Sequence, residues 1–279
     1  MSFPGRQLVR HVVGRPGWRA ARCCFVPSTG RTGSRTLTSL LDLSPQVRAF
    51  HEPAPQLLAE SRQAFSEIFK DPQQFARIFA AAKSTEIGIA RLKGQLYAES
   101  SNRLTFFAPV IARLLPNSLF IHLHRHPADM VRSGMRRGWY CDHPWDAHRI
   151  APGPGDAAFA AWTDWDAFAK TCWYWSIINE FALDAQEQIA PERWLTVQFD
   201  EFMDVESETW RRIFEFLDVP APPPEKVAEI FGRRENGQQE GEFPHVSEWN
   251  QRQKDTLLQI AGETMHKLGY SLENAAQCV

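Results

Sequence analysis

No acidic residue occurs before Asp42, although residues 1–35 carry seven arginines. An Arg-rich, acid-poor start reads either as an organelle transit peptide or as a disordered tail, and a poorly ordered tail over 1–20 is the expectation. Arg6, Arg10, Arg15 and Arg19 deny the N-terminus the unbroken apolar stretch of a signal peptide. Nowhere does an apolar run approach the roughly 18 residues of a membrane helix, so no membrane span is expected. Cysteine is scarce: the five are odd in number, and none forms a CxxC pair, which excludes a disulfide framework and a zinc knuckle. Excess charge of either sign is lacking too. The formal net charge of −2 gives no bulk attraction for a polyanion, so nucleic acid is not an expected partner. No period of 20–50 residues repeats, which excludes solenoids and propellers. What remains is a globular protein of a reducing compartment, with the cytoplasm as the expected location.

Several segments alternate between strand and helix signatures. Arg22–Pro27 is a short apolar run ending at proline, as a buried strand does. Ser28–Ser34 is a turn-rich loop, after which Leu37, Leu40 and Leu41 recur at helical spacing. Further strands are expected at 47–50, 96–98, 119–123 and 194–197. Helices are expected at 56–69, 72–93 and 104–115, from Pro127 onward, over the stretch where Trp210, Ile213, Phe214 and Leu217 recur at i, i+3, i+4 and i+7, and around Leu257–Leu268. Strands alternating with helices predict an α/β three-layer fold, like that of the P-loop NTPases, with a mainly parallel central sheet flanked by helices. No linker divides the chain, and one domain over 21–272 is expected.

Strand, glycine loop and helix together form an anion cradle. The first amides of a helix have no partner within it, the dipole adds positive charge there, and glycine lets the backbone approach an anion closely. The segment Arg31-Thr32-Gly33-Ser34-Arg35-Thr36 adds hydroxyl donors and two guanidinium groups suited to phosphate or sulfate oxygens. It is not a Walker loop: GxxxxGK(S/T) needs glycine where Ser28 stands and lysine where Ser34 stands. The strand at 119–123 runs into Arg125 rather than a magnesium-binding aspartate. No GxSxG nucleophile elbow is present. A phosphate loop without a magnesium ligand implies a donor that needs no magnesium.

A second anion site is expected where Arg125 ends a strand and Ser133 lies further along the following helix. Two phosphate sites suit a nucleotide phosphorylated at both the 3′ and 5′ positions. Here the sequence resembles the PAPS-dependent sulfotransferase superfamily, in its bacterial-type members. That family opens its 5′-phosphosulfate loop with Lys or Arg, any residue, Gly and two hydroxyl residues. Arg31-Thr32-Gly33-Ser34-Arg35 fits this except at Arg35, with Thr36 just beyond. Its 3′-phosphate motif is similar to RDPRDVxxS, and Arg125-His126-Pro127-Ala128-Asp129-Met130-Val131-Arg132-Ser133 keeps the Arg, the Pro, the second Asp and the Ser but has His126 for the first Asp and Ala128 for the second Arg. Trp194–Phe202, His245–Trp249 and Leu268-Gly269-Tyr270 look like later parts of the family, whereas its basic segment has only Gly232-Arg233-Arg234 as a counterpart. The resemblance implies sulfuryl transfer from PAPS (3′-phosphoadenosine 5′-phosphosulfate) to a hydroxyl or amine, without metal, leaving 3′,5′-ADP (PAP). The loop from Arg31 to Thr36 would hold the 5′ end, and Arg125 and Ser133 the 3′-phosphate. The alternatives are a nucleotide kinase with a degenerate P-loop and a non-catalytic nucleotide-binding protein of the same fold.

The acceptor proton needs a base. In family members with a carboxylate base it often follows the strand after the first helix, where Phe50-His51-Glu52-Pro53 stands. Glu52 is the expected base, His51 the alternative, and Glu99 a residue expected to pair structurally. His122, His124 and His126 alternate along a strand, but no closed ligand set with metal-site spacing accompanies them, and no metal is expected. Six of the ten tryptophans fall between 139 and 175. Trp173 shares a helical stripe with Ile177 and Phe181, while Trp139 and Trp145 stand in a Gly-, Pro- and Asp-rich stretch and are expected to wall an acceptor pocket for a small-molecule, glycan or lipid hydroxyl. Arg136 and Arg137 could meet an anionic acceptor, but are expected to be a solvated helix end.

Overall fold

The computed structural model describes residues 16–233 and 241–273. Its strands are β1 (Cys23–Val26), β2 (Val47–His51), β3 (Leu96–Ser100), β4 (Ser118–His124) and β5 (Trp194–Gln198). All pair in parallel, in the order β2-β3-β1-β4-β5. The helices are α1 (Ser34–Leu41), α2 (Leu58–Glu67), α3 (Pro72–Leu92), α4 (Ala108–Leu114), α5 (Pro127–Met135), α6 (Ala167–Glu187), α7 (Phe199–Met203), α8 (Thr209–Phe216), α9 (Pro224–Phe231) and α10 (Gln251–Lys267).

The first strand lies in the middle. Phe25 is level with Glu99 of β3 on one side and Phe120 of β4 on the other. Covered on both faces as well, β1 is wholly buried, which is why its sequence is an unbroken apolar run rather than an alternation. The two-residue period of a strand still sorts its side chains. Cys23 and Phe25 join Tyr97 and Phe120 in a core that also takes residues from α3, α4, α6 and α10. Cys24 and Val26 join Ile121 and Leu123 in a second core with residues of α1, α8 and α9. Helix starts follow from local chemistry. Asp71 accepts from the Gln74 amide at 2.9 Å ahead of Pro72, and Asp166 accepts from the Ala169 amide at 2.8 Å to open α6.

The helix expected at 104–115 divides into a 3₁₀ turn over Asn102–Phe107 and then α4, because Pro109 has no amide to continue the ladder backward. The helix read from Trp210, Ile213, Phe214 and Leu217 forms as α8. Glu208 takes a left-handed conformation (φ 57°) between the 3₁₀ turn Val205–Ser207 and α8. Order reaches into the expected tail as well. Pro16–Ala20 form a 3₁₀ turn whose Trp18 is buried, while residues 1–15 lie outside the described residues.

Glu99 and Lys83 are both almost wholly buried and paired at 2.7 Å, with the Tyr97 hydroxyl donating to the same carboxylate at 2.5 Å. Burial pushes the Glu99 carboxyl up, and Lys83 and Tyr97 pull it back toward the charged form. Lys83 also donates to the Pro53 carbonyl at 3.1 Å, fixing the turn after β2. Glu99 thus has the paired role expected of it. Lys83→Met would strand a buried carboxylate and is expected to lower unfolding stability by about 3–5 kcal/mol in urea melts. Lys83→Met/Glu99→Leu, which removes both charges, is expected to lose less; an equal or larger loss would show that the ion pair itself does not set the cost.

Candidate active site

The carboxyl ends of all five strands and the loops beyond them enclose a cavity of about 800 Å³, lined by loop residues after β1, β2, β3 and β4 and by Phe199 after β5. β1 connects outward to one side and β4 returns on the other, so this is the crevice where the strand order switches, the usual ligand position in an open parallel sheet.

The loop after β1 turns back through left-handed residues: Gly30 (φ 73°), Arg31 (φ 62°) and Gly33 (φ 75°). At Gly33 glycine is needed twice, for the angle and because a Cβ would stand 2.9 Å from the Phe199 ring. Gly33 caps α1 without a side-chain bond to the first helical amides, and Ser34, Arg35 and Thr36 line the cavity. Thr32 is fully buried, and its hydroxyl has no hydrogen-bond partner. The Tyr174 hydroxyl donates to the Thr29 carbonyl at 3.3 Å, and the Ser28 amide donates to the Thr105 hydroxyl at 3.1 Å, so the loop is anchored from α6 and from the 3₁₀ turn.

The two sequence motifs meet directly. Arg31 Nε donates to Ser133 Oγ at 3.1 Å, and Arg125 Nη1 donates to the Arg31 carbonyl at 3.4 Å. Arg125 stacks on Phe199 at 4.2 Å and faces Asp129 at 3.7 Å, while the Trp175 indole donates to its carbonyl at 2.9 Å. Its Nε is buried without a hydrogen-bond partner. Arg137 also reaches Ser133 Oγ, at 3.4 Å, and Arg136 Nε donates to the Gly241 carbonyl at 2.9 Å. These two arginines are therefore not a merely solvated helix end: the return of the chain at Gly241 and the position of Ser133 give each a partner. Burial, and then the neighbouring charges of Arg137, Arg125 and Arg35, pull the Arg31 guanidinium down to about 10, with Glu52 opposing. It stays charged at neutral pH, amid cations that an anion would relieve.

Across the cavity, His51 and Glu52 line the wall at the end of β2. Glu52 is left-handed (φ 47°), donates its amide to the Ser100 carbonyl at 3.0 Å, and holds its carboxylate 2.8 Å from Arg103. Trp139 and Trp145 line the cavity as well, the former buried and the latter half exposed. Trp139 sits against Gly134, where a Cβ would come within 2.8 Å of the indole, and carries the Arg149 guanidinium on its face at 4.1 Å. Spacing in the sequence gives no sign of Asn102, Arg103, Arg149 or Tyr174, which reach the cavity from separate loops and from α6. Arg233 lines the cavity too, whereas Arg234 lies outside the described residues.

A sequence model of the Sulfotransferase family matches residues 24–223. The chain belongs to the sulfotransferase family. No curated protein matches it in sequence. Among solved structures, this sulfotransferase resembles the sulfotransferase domain from the curacin biosynthetic pathway, at 16% identity and TM-score 0.56 over 90% of this chain and 98% of that one. Sulfotransferase STF9 from Mycobacterium avium matches at 15% identity and TM-score 0.56, over 96% of this chain and 83% of that one. At these identities the likeness establishes a shared fold, the expected three-layer α/β arrangement.

The three alternating histidines of this sulfotransferase have individual partners. His122 meets Asn179 at 2.9 Å, His124 meets the Tyr270 hydroxyl at 2.8 Å, and His126 lies between the Ser271 carbonyl and the Ala128 amide. Among the described residues no group of three His, Cys, Asp or Glu is placed to share a metal ion. No described helix is long and apolar enough to cross a membrane. Burial depresses His122 to about 4 and His124 to about 3, the latter also through the charge of His122. Both folded values lie below the unfolded value near 6.5, so the unfolded chain takes up protons first. Their contribution is complete above about pH 6.5 and falls with pH by about 1.4 kcal/mol per unit per histidine until the folded values are reached. His124→Gln is expected to flatten the stability-versus-pH slope between pH 6 and 4.5 by about one such share in urea melts; an unchanged slope would show that His124 titrates normally.

Proposed function

We propose that this protein transfers a sulfuryl group from PAPS to a hydroxyl or amine. The observation that carries the reading is the meeting of the Arg31 loop and the Arg125–Ser133 segment in one cation cluster, facing a carboxylate across the same cavity. Clustered guanidinium groups, loop hydroxyls and uncapped helix amides suit a nucleotide with anions at both ends. The unpartnered Thr32 hydroxyl and Arg125 Nε are polar atoms that such a ligand would satisfy.

In this reading Arg31 and the Thr32–Thr36 loop hold the 5′-phosphosulfate, and Arg125 and Ser133 the 3′-phosphate. The sulfur–oxygen bond to the phosphate breaks as a new one forms to the acceptor oxygen, and negative charge grows on the departing bridging oxygen. Arg31 stabilises that charge from a fixed position. Glu52 takes the acceptor proton, with His51 as the second candidate beside it. Trp139 and Trp145 offer aromatic faces to a small-molecule, glycan or lipid acceptor. 3′,5′-ADP then leaves. The cytoplasm is the proposed setting, on the composition alone.

Thermal-shift titration with 3′,5′-ADP tests the donor site. At 100 times its dissociation constant the nucleotide should stabilise the fold by about 2.7 kcal/mol. Arg125→Met is expected to weaken binding at least tenfold, about 1.4 kcal/mol for a lost charge-assisted contact, while Glu52→Gln leaves it within twofold. A shift produced only by 5′-ADP with magnesium would overturn the reading in favour of the kinase alternative. Normal 3′,5′-ADP binding with no PAPS turnover on any acceptor would point to the non-catalytic one.

A further inference from the structure

Two further arginines, Arg103 and Arg149, line the cavity. A chain of contacts connects them: Glu52 to Arg103 at 2.8 Å, Arg103 to Asn102 at 3.4 Å, Asn102 to the Tyr174 hydroxyl at 3.3 Å, Tyr174 edge-on to Trp139 with ring centres 5.3 Å apart, and Arg149 over Trp139 at 4.1 Å. Tyr174 and Trp139 thus form the aromatic link between the two arginines.

The two arginines differ in how firmly their partners are committed. Asp146 gives one oxygen to Arg149 at 2.8 Å and the other to the His143 amide at 2.9 Å, closing a cap of the turn Pro144–His148. Arg149 therefore belongs to the wall. Arg103 is instead paired with the one carboxylate that the proposed reaction needs for a proton. While Glu52 Oε2 accepts from Arg103, that oxygen cannot accept from an acceptor hydroxyl in the same direction. A neutral acceptor offers nothing to exchange for the pair, whereas an anionic one does.

We propose that Arg103 is an acceptor-recognition residue. It receives a carboxylate, or the equivalent oxyanion of a sulfate or phosphate ester, borne by a hydroxylated acceptor whose ring lies against Trp139, and in turning to that anion it releases Glu52 toward the hydroxyl. The acceptor class is thus a hydroxylated organic anion. The role given to Glu52 rests on the sulfotransferase reading above; the anion preference of this end of the cavity does not.

The test is calorimetric titration of the full chain, saturated with 3′,5′-ADP, with 4-hydroxybenzoate and with 4-hydroxybenzamide as its neutral counterpart. The wild type is expected to bind the acid about tenfold tighter than the amide, as one charge-assisted pair provides. Arg103→Gln should abolish that preference while leaving 3′,5′-ADP affinity within twofold. Glu52→Gln, which removes the group competing for Arg103, should tighten the acid several-fold and leave the amide unchanged. Equal binding of acid and amide by the wild type, a preference that survives Arg103→Gln, or no tightening in Glu52→Gln would each overturn the proposal. Should 3′,5′-ADP fail to bind, the donor-site reading falls, and the same comparison on the nucleotide-free protein still decides this one.

Discussion

Mutual repulsion among Arg31, Arg35, Arg125 and Arg137 is the constraint around which the rest of the site is arranged, because guanidinium groups that outnumber their carboxylate neighbours Asp129 and Glu52 stay together only where other elements hold them. Arg125 is held by its stack on Phe199, by Asp129 and by the Trp175 bond to its carbonyl. Arg31 and Arg137 share Ser133. Those supports come from three elements: Phe199 just after β5, Trp175 on α6 and Ser133 on α5. The packing of helices on both faces of the sheet is therefore also what keeps like charges close. The same arrangement explains Gly33, whose missing side chain lets Phe199 approach the loop.

Opposite this cluster the logic is reversed. Glu52 and Arg103 neutralise one another at 2.8 Å, and Lys83 fixes the backbone just beyond Glu52 through the Pro53 carbonyl. Lys83 is oriented in turn by Glu99 and Tyr97 inside the core. A buried ion pair contributes little net stability by itself. Here its remaining donor reaches the turn that carries the candidate base, so the pair connects the core to the cavity wall.

Much of this was legible in the sequence, and for identifiable reasons. The buried strands appear as apolar runs because a parallel sheet covered on both faces leaves no polar side to interrupt them. The glycine loop and the Arg125 segment are each contiguous, so the residues that carry their chemistry can be recognised by spacing. Glu52 was singled out through the family resemblance, which implies a carboxylate after the strand that follows the first helix. Arg103, Asn102, Arg149 and Tyr174 were not, because they enter the cavity from three separate elements, and no periodicity records a contact between α6 and a loop after β3. The split at Pro109 was legible in principle, since proline interrupts a helical ladder, but apolar spacing across it masked the break. Arg136 and Arg137 looked like a solvated helix end because their partners, the Gly241 carbonyl and Ser133, are visible only once the chain has folded back.

The central position of β1 has a consequence for how the chain acquires its structure. Both neighbours of β1 come later in the sequence, β3 near residue 100 and β4 near residue 120, and the strand cannot complete its hydrogen bonding until both have formed. On the ribosome, roughly a hundred residues of synthesis separate the appearance of Cys23–Val26 from its last partner, a wait of about 5–20 seconds at ordinary elongation rates. Until β3 arrives this apolar strand has two open edges, and one until β4 follows, the condition under which strands pair wrongly with other chains. Contacts so distant in sequence also make for slow folding after release. The segment best hidden in the finished protein is thus the one exposed longest while it is being made.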